Sequence, residues 1–353
     1  MVNMFVDALL GKPPPRPMGW RLKHRARHAA LAVTGGLTIR ALYRIFDPQG
    51  PGRPPADQAQ ALMERHRALI ERDLDNVEEG LYPATLLEQF PYREMLRSLP
   101  ELALEVPRSA RRRRRGGYDD LPADAHPEQY PRYYRRTFHW QSDGWLSDRS
   151  ARLYDASVEL LFAGTANVMR RMAIPALTRR FGRDGAPRIL DVACGTGPLL
   201  RQLRLTFPQS RLTGIDLSPF YVERARARLG DADRVSVEQG NAEALPHPDA
   251  SFDAVTCVFT FHELPPRVRR TVVQEMARVL VPGGLLVIVD SAQLNESASI
   301  RFFLESFPER FHEPYYRSYL DDPLEALVDD GELRLLRSEP HAVSKVVVAQ
   351  KRA

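Results

Sequence analysis

Cysteine is scarce in this chain of 353 residues, where Cys194 and Cys257 are the only two. Two thiols build no disulfide framework, so a reducing compartment is the default and the cytoplasm the expected location. Neither stands at a spacing from histidine that would form a zinc site, and no metal is expected. Long apolar runs are missing as well. The mildly apolar stretch from His28 to Ile39 contains Thr34, Gly35, Gly36 and Thr38, is closed by Arg40 and Arg44, and is too short to cross a bilayer. It reads as an amphipathic segment or a tail. With Arg21, Lys23, Arg25 and Arg27 ahead of it, a peripheral membrane contact through this basic N-terminus is the alternative. What is present is a globular composition, 43% hydrophobic and 27% charged, which excludes general disorder and suits one large domain or two modest ones.

The net charge of +5 is unevenly placed. Residues 1–115 hold 20 Lys and Arg against 13 Asp and Glu, whereas the remainder holds 30 against 32. The basicity therefore belongs to the N-terminal third, and nucleic acid is not an expected partner of the rest. The run Arg111 to Arg115 reads as a solvated loop, with an anionic surface or RNA as its alternative contact.

Residues 47–56 are a linker by composition, because proline and glycine deny both helix and ladder. Asp57 to Leu74 has helical periodicity, and Glu88 to Leu104 reads as a weaker helix broken by proline. These place a basic, mainly helical or partly disordered extension over residues 1–125. From residue 126 to 353 the texture changes. An aromatic-rich segment and helices fill 130–182, followed by strands alternating with helices over 186–291. Largely apolar strands in such alternation imply a parallel sheet covered on both faces. Glu332–Ser338 and Ser344–Lys351 then read as an antiparallel pair closing one edge of the region 292–353.

The run Arg188-Ile-Leu-Asp-Val-Ala-Cys-Gly-Thr-Gly197 is a buried strand feeding a glycine turn. Gly195 and Gly197 let the backbone bend sharply and approach a ligand, and Pro198 suits the first turn of the following helix. A pyrophosphate site would want a third glycine where Leu200 stands, and Asp191 would repel a phosphate. A carboxylate there suits an ammonium group instead. Asp216 ends the second strand, where it can receive both ribose hydroxyls, and Asn241-Ala242 ends the third, where an adenine amine can be met. Leu217 and Leu245 would flank the adenine ring. Amine, ribose and adenine without phosphate describe S-adenosylmethionine.

With Gly-Ile-Asp-Leu-Ser, Gly-Asn-Ala-Glu-Ala-Leu-Pro, Ser-Phe-Asp-Ala-Val and Arg-Val-Leu-Val-Pro-Gly-Gly alongside, the chain resembles the class I S-adenosylmethionine-dependent methyltransferases, in the style of the ubiquinone/menaquinone-biosynthesis group. The resemblance implies an α/β fold: a Rossmann-like seven-stranded, mostly parallel sheet with an antiparallel edge hairpin, plus the helical N-terminal extension. It implies cofactor contacts from Asp191, Ala193, Cys194, Gly195, Thr196, Gly197, Asp216, Leu217, Asn241, Ala242 and Phe259. Ala193 departs from the fullest family pattern, which has glycine there.

The acceptor is less constrained. After the fourth strand stands Val258-Phe-Thr-Phe-His-Glu-Leu-Pro265, not the Asn/Asp-Pro-Pro-Tyr that resembles amine methylation of bases and glutamine. No Pro-Cys nucleophile is present either. An oxygen or carbon of a small, apolar or aromatic metabolite is the expected acceptor. His262 and Glu263 are the candidate catalytic pair, histidine because its pKa suits deprotonation of a phenol or enol. Trp140 and Trp145 on a lid segment, and His312 and Tyr316 in the late insertion, are the candidate substrate-binding residues. The alternatives are a regulatory protein that binds the cofactor without turnover, and an RNA or protein methyltransferase.

Overall fold

The computed structural model describes residues 19–31, 33, 52–88, 92–141, 143–329 and 331–353. Residues 47–51 of the 47–56 linker and the Gly35–Gly36 region therefore lie outside the described residues. Seven strands form one sheet: β1 (Arg188–Val192), β2 (Arg211–Asp216), β3 (Val235–Gln239), β4 (Phe252–Val258), β5 (Leu280–Ser291), β6 (Leu333–His341) and β7 (Ser344–Lys351). Their spatial order is β3-β2-β1-β4-β5-β7-β6; the first five are parallel, and β7 runs antiparallel between β5 and β6. The expected mostly parallel sheet with an antiparallel edge hairpin is what forms. Ile189, Leu190 and Val192 are fully buried, as a central strand covered on both faces requires.

Nine helices are needed to place the site. They are α1 (residues 20–31), α2 (Ala56–Glu78), α3 (Tyr92–Arg115), α4 (Asp148–Leu161), α5 (Ala166–Arg171), α6 (Ile174–Phe181), α7 (Pro198–Thr206), α8 (Pro219–Leu229) and α9 (Pro266–Val279). Pro175 sits in the first turn of α6, which is why α5 and α6 are separate helices. Ser218 caps α8 by accepting the Tyr221 N–H through Oγ. Leu200 on α7 does without the third loop glycine because the room is on the neighbouring strand. A Cβ on Gly214 of β2 would fall 2.4 Å from Leu200 Cδ1.

The N-terminal helices join the same body. Leu69, Leu74 and Val77 of α2 share an apolar cluster with Leu177, Leu199 and Leu203 beside one face of the sheet. Asp73 of α2 pairs with Arg171 of α5, both buried, and also receives the Tyr82 hydroxyl at 2.5 Å. Arg21 and Arg25 of α1 turn to Glu71, Asp75 and Glu78 of α2. Two sequence expectations are corrected. The proline-broken helix at Glu88–Leu104 is one helix running through Pro100 and Pro107 to Arg115, and the five arginines are its last turns, not a loop. Ion pairs along one side hold it: Glu94 to Arg228, Glu101 to Arg152, and Glu105 to Arg149.

Candidate functional site

The site begins where β1 ends. The chain leaves Val192 through Ala193, Gly195 and Gly197, all at positive φ (54°, 56° and 77°). Glycine takes such a conformation freely, whereas for alanine it costs roughly 1–2 kcal/mol. A Cβ on Gly197 would also press the Ala225 Cβ at 3.2 Å. The turn is anchored on the next strand. Cys194 N–H donates to Ile215 O at 3.0 Å, and Gly195 N–H donates to Asp216 Oδ2 at 2.8 Å. Ser218 N–H occupies the other Asp216 oxygen at 2.9 Å. Burial nevertheless pushes the Asp216 pKa up to about 6.

A cavity of about 110 Å³ opens at these strand ends. Gly195, Asp216, Leu217, Asn241, Ala242 and Phe259 line it, with Tyr134, Phe138, Trp145 and Tyr154 as its aromatic cover. Ala193, Gly195, Tyr154, Val258 and Phe259 also border a second cavity of about 30 Å³, into which Asp191, Cys194 and Thr196 face. Asp191 is 2% exposed and takes a hydrogen bond from Thr256 Oγ1 at 2.7 Å. Burial lifts its pKa to about 7, outweighing Thr256 and Arg170. Arg170 of α5 lines the same small cavity, with its guanidinium 5.8 Å from the Phe259 ring centre. Among the described residues no carboxylate is in salt-bridge contact with it. A carboxylate and a guanidinium on one cavity form a receptor for an ammonium and a carboxylate, the two charges of an amino acid. These residues therefore fit the methionine end of S-adenosylmethionine. Thr196 Oγ1 is bound to Asp155, and Gly197 borders neither cavity.

The acceptor side differs from expectation. Glu263 lines the larger cavity; His262 does not. The His262 ring is buried, its Nδ1 lies 2.6 Å from Asp290 Oδ1, and it packs edge-on against Tyr316 and Tyr319. Burial opposes its charge, yet Asp290 overcomes this and carries the pKa to about 9. His262 is thus held on Asp290 and off the cavity, a placement that fits bracing of the site. Of the four substrate candidates, Trp145 reaches the cavity. Tyr316 is buried with its hydroxyl on Ser291, and His312 stacks on Tyr118 at 4.1 Å. The side chain of Trp140 lies outside the described residues.

His139 was not foreseen. It sits at φ 52° between two carboxylates, with Nε2 3.2 Å from Glu263 Oε1 and Nδ1 2.8 Å from Glu313 Oε1. Burial again works against the charge, but Glu313 and Glu263 raise its pKa to about 10. Glu263 is itself shifted up, by burial first. His139, Glu263 and Glu313 are the one group among the described residues that could hold a metal ion. Only the contact to Glu263 is a hydrogen bond; Nδ1 and the Glu313 carboxylate stand at ion-pair distance with no hydrogen bond between them. No motif marked His139, Glu313 or Arg170, because each gains its meaning from a partner far away in the chain.

Fold and cavity resemble those of class I S-adenosylmethionine-dependent methyltransferases, and residues 189–284 match the family described as methyltransferase domain. Among curated relatives, the demethylmenaquinone methyltransferase of Deinococcus radiodurans is 39% identical over 139 residues, 39% of this chain and 55% of that protein. The 27-O-demethylrifamycin SV methyltransferase of Amycolatopsis mediterranei is 37% identical over 174 residues, 48% of this chain and 56% of that protein. A methyltransferase structure from Aquifex aeolicus aligns over 51% of this chain and 92% of its own, with 23% identity and a TM-score of 0.40. The chain thus spans a little over half the length of the curated relatives it matches.

Proposed function

We propose that this protein transfers a methyl group from S-adenosylmethionine to an oxygen or carbon of a small, apolar or aromatic metabolite. The observation that carries the reading is the pair of adjacent cavities that share Tyr154, Ala193, Gly195, Val258 and Phe259 in their linings. One presents Asp191 and Arg170 to an amino acid, and the other runs from Asp216 and Asn241 to Glu263 under an aromatic cover. The cofactor supplies a methyl group already activated on a sulfonium, so orientation contributes much of the acceleration. Tyr134, Trp145 and Tyr154 exclude water and offer ring faces to positive charge. Glu263 is the residue positioned to take the proton that a phenol or enol loses as its oxygen or carbon acquires the methyl group. His139 and His262 stabilise the carboxylate from behind. Two relatives named for demethylmenaquinone and 27-O-demethylrifamycin SV support a metabolite over a macromolecule.

Incubation with methyl-labelled S-adenosylmethionine and a cell extract is expected to label the small-molecule fraction; label confined to RNA or protein refutes the reading. With an identified acceptor, Glu263→Gln should lower kcat by about 10²- to 10⁴-fold. Binding of the methyl donor should stay near normal.

A further inference from the structure

Helix α3 is amphipathic in the unusual direction. Its acidic side, Glu94, Glu101 and Glu105, is docked on Arg228, Arg152 and Arg149 of the body. The opposite side faces solvent. Leu96, Pro100, Ala103 and Pro107 follow one another at the three- and four-residue steps of a single helix face, and all are exposed. Leu99 and Leu104 flank that stripe; Leu96 is 68%, Leu104 62% and Leu99 45% exposed. The stripe continues without a turn in direction into exposed Arg111 and Arg114, with Arg108 and Arg115 beside them. A soluble helix normally buries its leucines and displays its charges. This one has spent its acidic charges on attachment and left its leucines uncovered among the described residues.

We propose that this face of α3 docks the protein on an anionic lipid surface, with the leucines entering the acyl boundary and the arginines meeting the phosphates. The charge decides the occupant. An apolar stripe running into arginines, with its acidic residues withdrawn to the far side, complements a negatively charged bilayer. No helix among the described residues is long and apolar enough to cross a membrane, so the contact is one of lying on the surface. The face differs from the N-terminal basic stretch, where Arg21 and Arg25 are engaged by Glu71, Asp75 and Glu78. Helix α3 packs on α4, which brings Tyr154 to the larger cavity, so docking would set that cavity one layer from the lipid.

The test is co-sedimentation of the full chain with vesicles of phosphatidylglycerol and phosphatidylcholine in equal parts, against vesicles of phosphatidylcholine alone. It requires no methyl transfer, so its outcome is separate from that of the proposed activity. Binding is expected to the anionic vesicles and to weaken with salt. Arg111→Gln with Arg114→Gln should reduce partition about thirtyfold, at the usual contribution of a cation near such a surface. Leu96→Ser with Leu104→Ser should reduce it about a hundredfold. All four side chains are exposed, so unchanged circular dichroism and thermal midpoints are expected for both variants. A wild-type chain that stays in the supernatant overturns the proposal, as does equal partition of either folded variant. Sedimentation velocity that shows a dimer abolished by the leucine pair would assign the face to a second copy of the chain instead.

Discussion

Replacing Asp191 by asparagine separates two properties of one carboxylate. The side chain is 2% exposed, and its hydrogen bond comes from Thr256 at 2.7 Å. Burial, assisted by Asp216 and opposed by Thr256 and Arg170, lifts its pKa from 3.8 to about 7. At about 1.4 kcal/mol per unit, keeping it ionised above that pH costs the ligand-free protein roughly 4 kcal/mol relative to the unfolded chain. The native state holds this proton more tightly than the unfolded state does. The associated stability is therefore whole below about pH 4, declines as the pH rises towards 7, and is absent above it. Asparagine keeps an oxygen for Thr256 and carries no charge. Urea unfolding should therefore find Asp191→Asn about 4 kcal/mol more stable than the parent at about pH 8. The gap should close progressively towards about pH 4. Calorimetry should find its affinity for S-adenosylmethionine about ten- to a hundredfold lower, the usual value of a hydrogen bond to a charged group. Parallel pH–stability curves for parent and variant, or undiminished cofactor affinity, would refute the reasoning.

Three further outcomes follow from other contacts. Arg170→Met should weaken S-adenosylmethionine binding about ten- to a hundredfold by calorimetry, with less effect on an analogue lacking the carboxylate. Asp73→Ala strands the buried Arg171 guanidinium and should cost about 3–5 kcal/mol in denaturant unfolding, loosening α2 from α5. Gly214→Ala drives a methyl group against Leu200 Cδ1, and should lower stability by about 1–3 kcal/mol while leaving the cavity residues in place.

The residues that line the cavities at the strand ends were legible in the sequence because their requirements are local. A strand end, two glycines, a carboxylate at the end of the second strand and an amide at the end of the third describe geometry that short segments state by themselves. The acceptor half depends on contacts between distant segments. His139 has no pattern around it, and Glu313 lies in an insertion with no recurring motif; they meet Glu263 only once the fold has formed. His262 was read by its ordinary pKa, and its partner Asp290, which holds the ring off the cavity, is seen only once the fold has formed. The arginine run from Arg111 misled in the opposite sense, since composition alone did not reveal that Glu94, Glu101 and Glu105 would pin the helix before it.

The cluster of His139, Glu263 and Glu313 also bears on the order in which the site is made. Asp191, Asp216, Asn241 and Phe259 stand within one short stretch of chain, so the donor half is complete in sequence by residue 259. The acceptor half waits for Glu313, and the sheet still needs β6 and β7. During synthesis from the N-terminus, a chain long enough to fold around the methyl donor would still lack the clasp over the acceptor. Ribosome-bound chains halted after β5 are the natural place to look for donor binding without turnover.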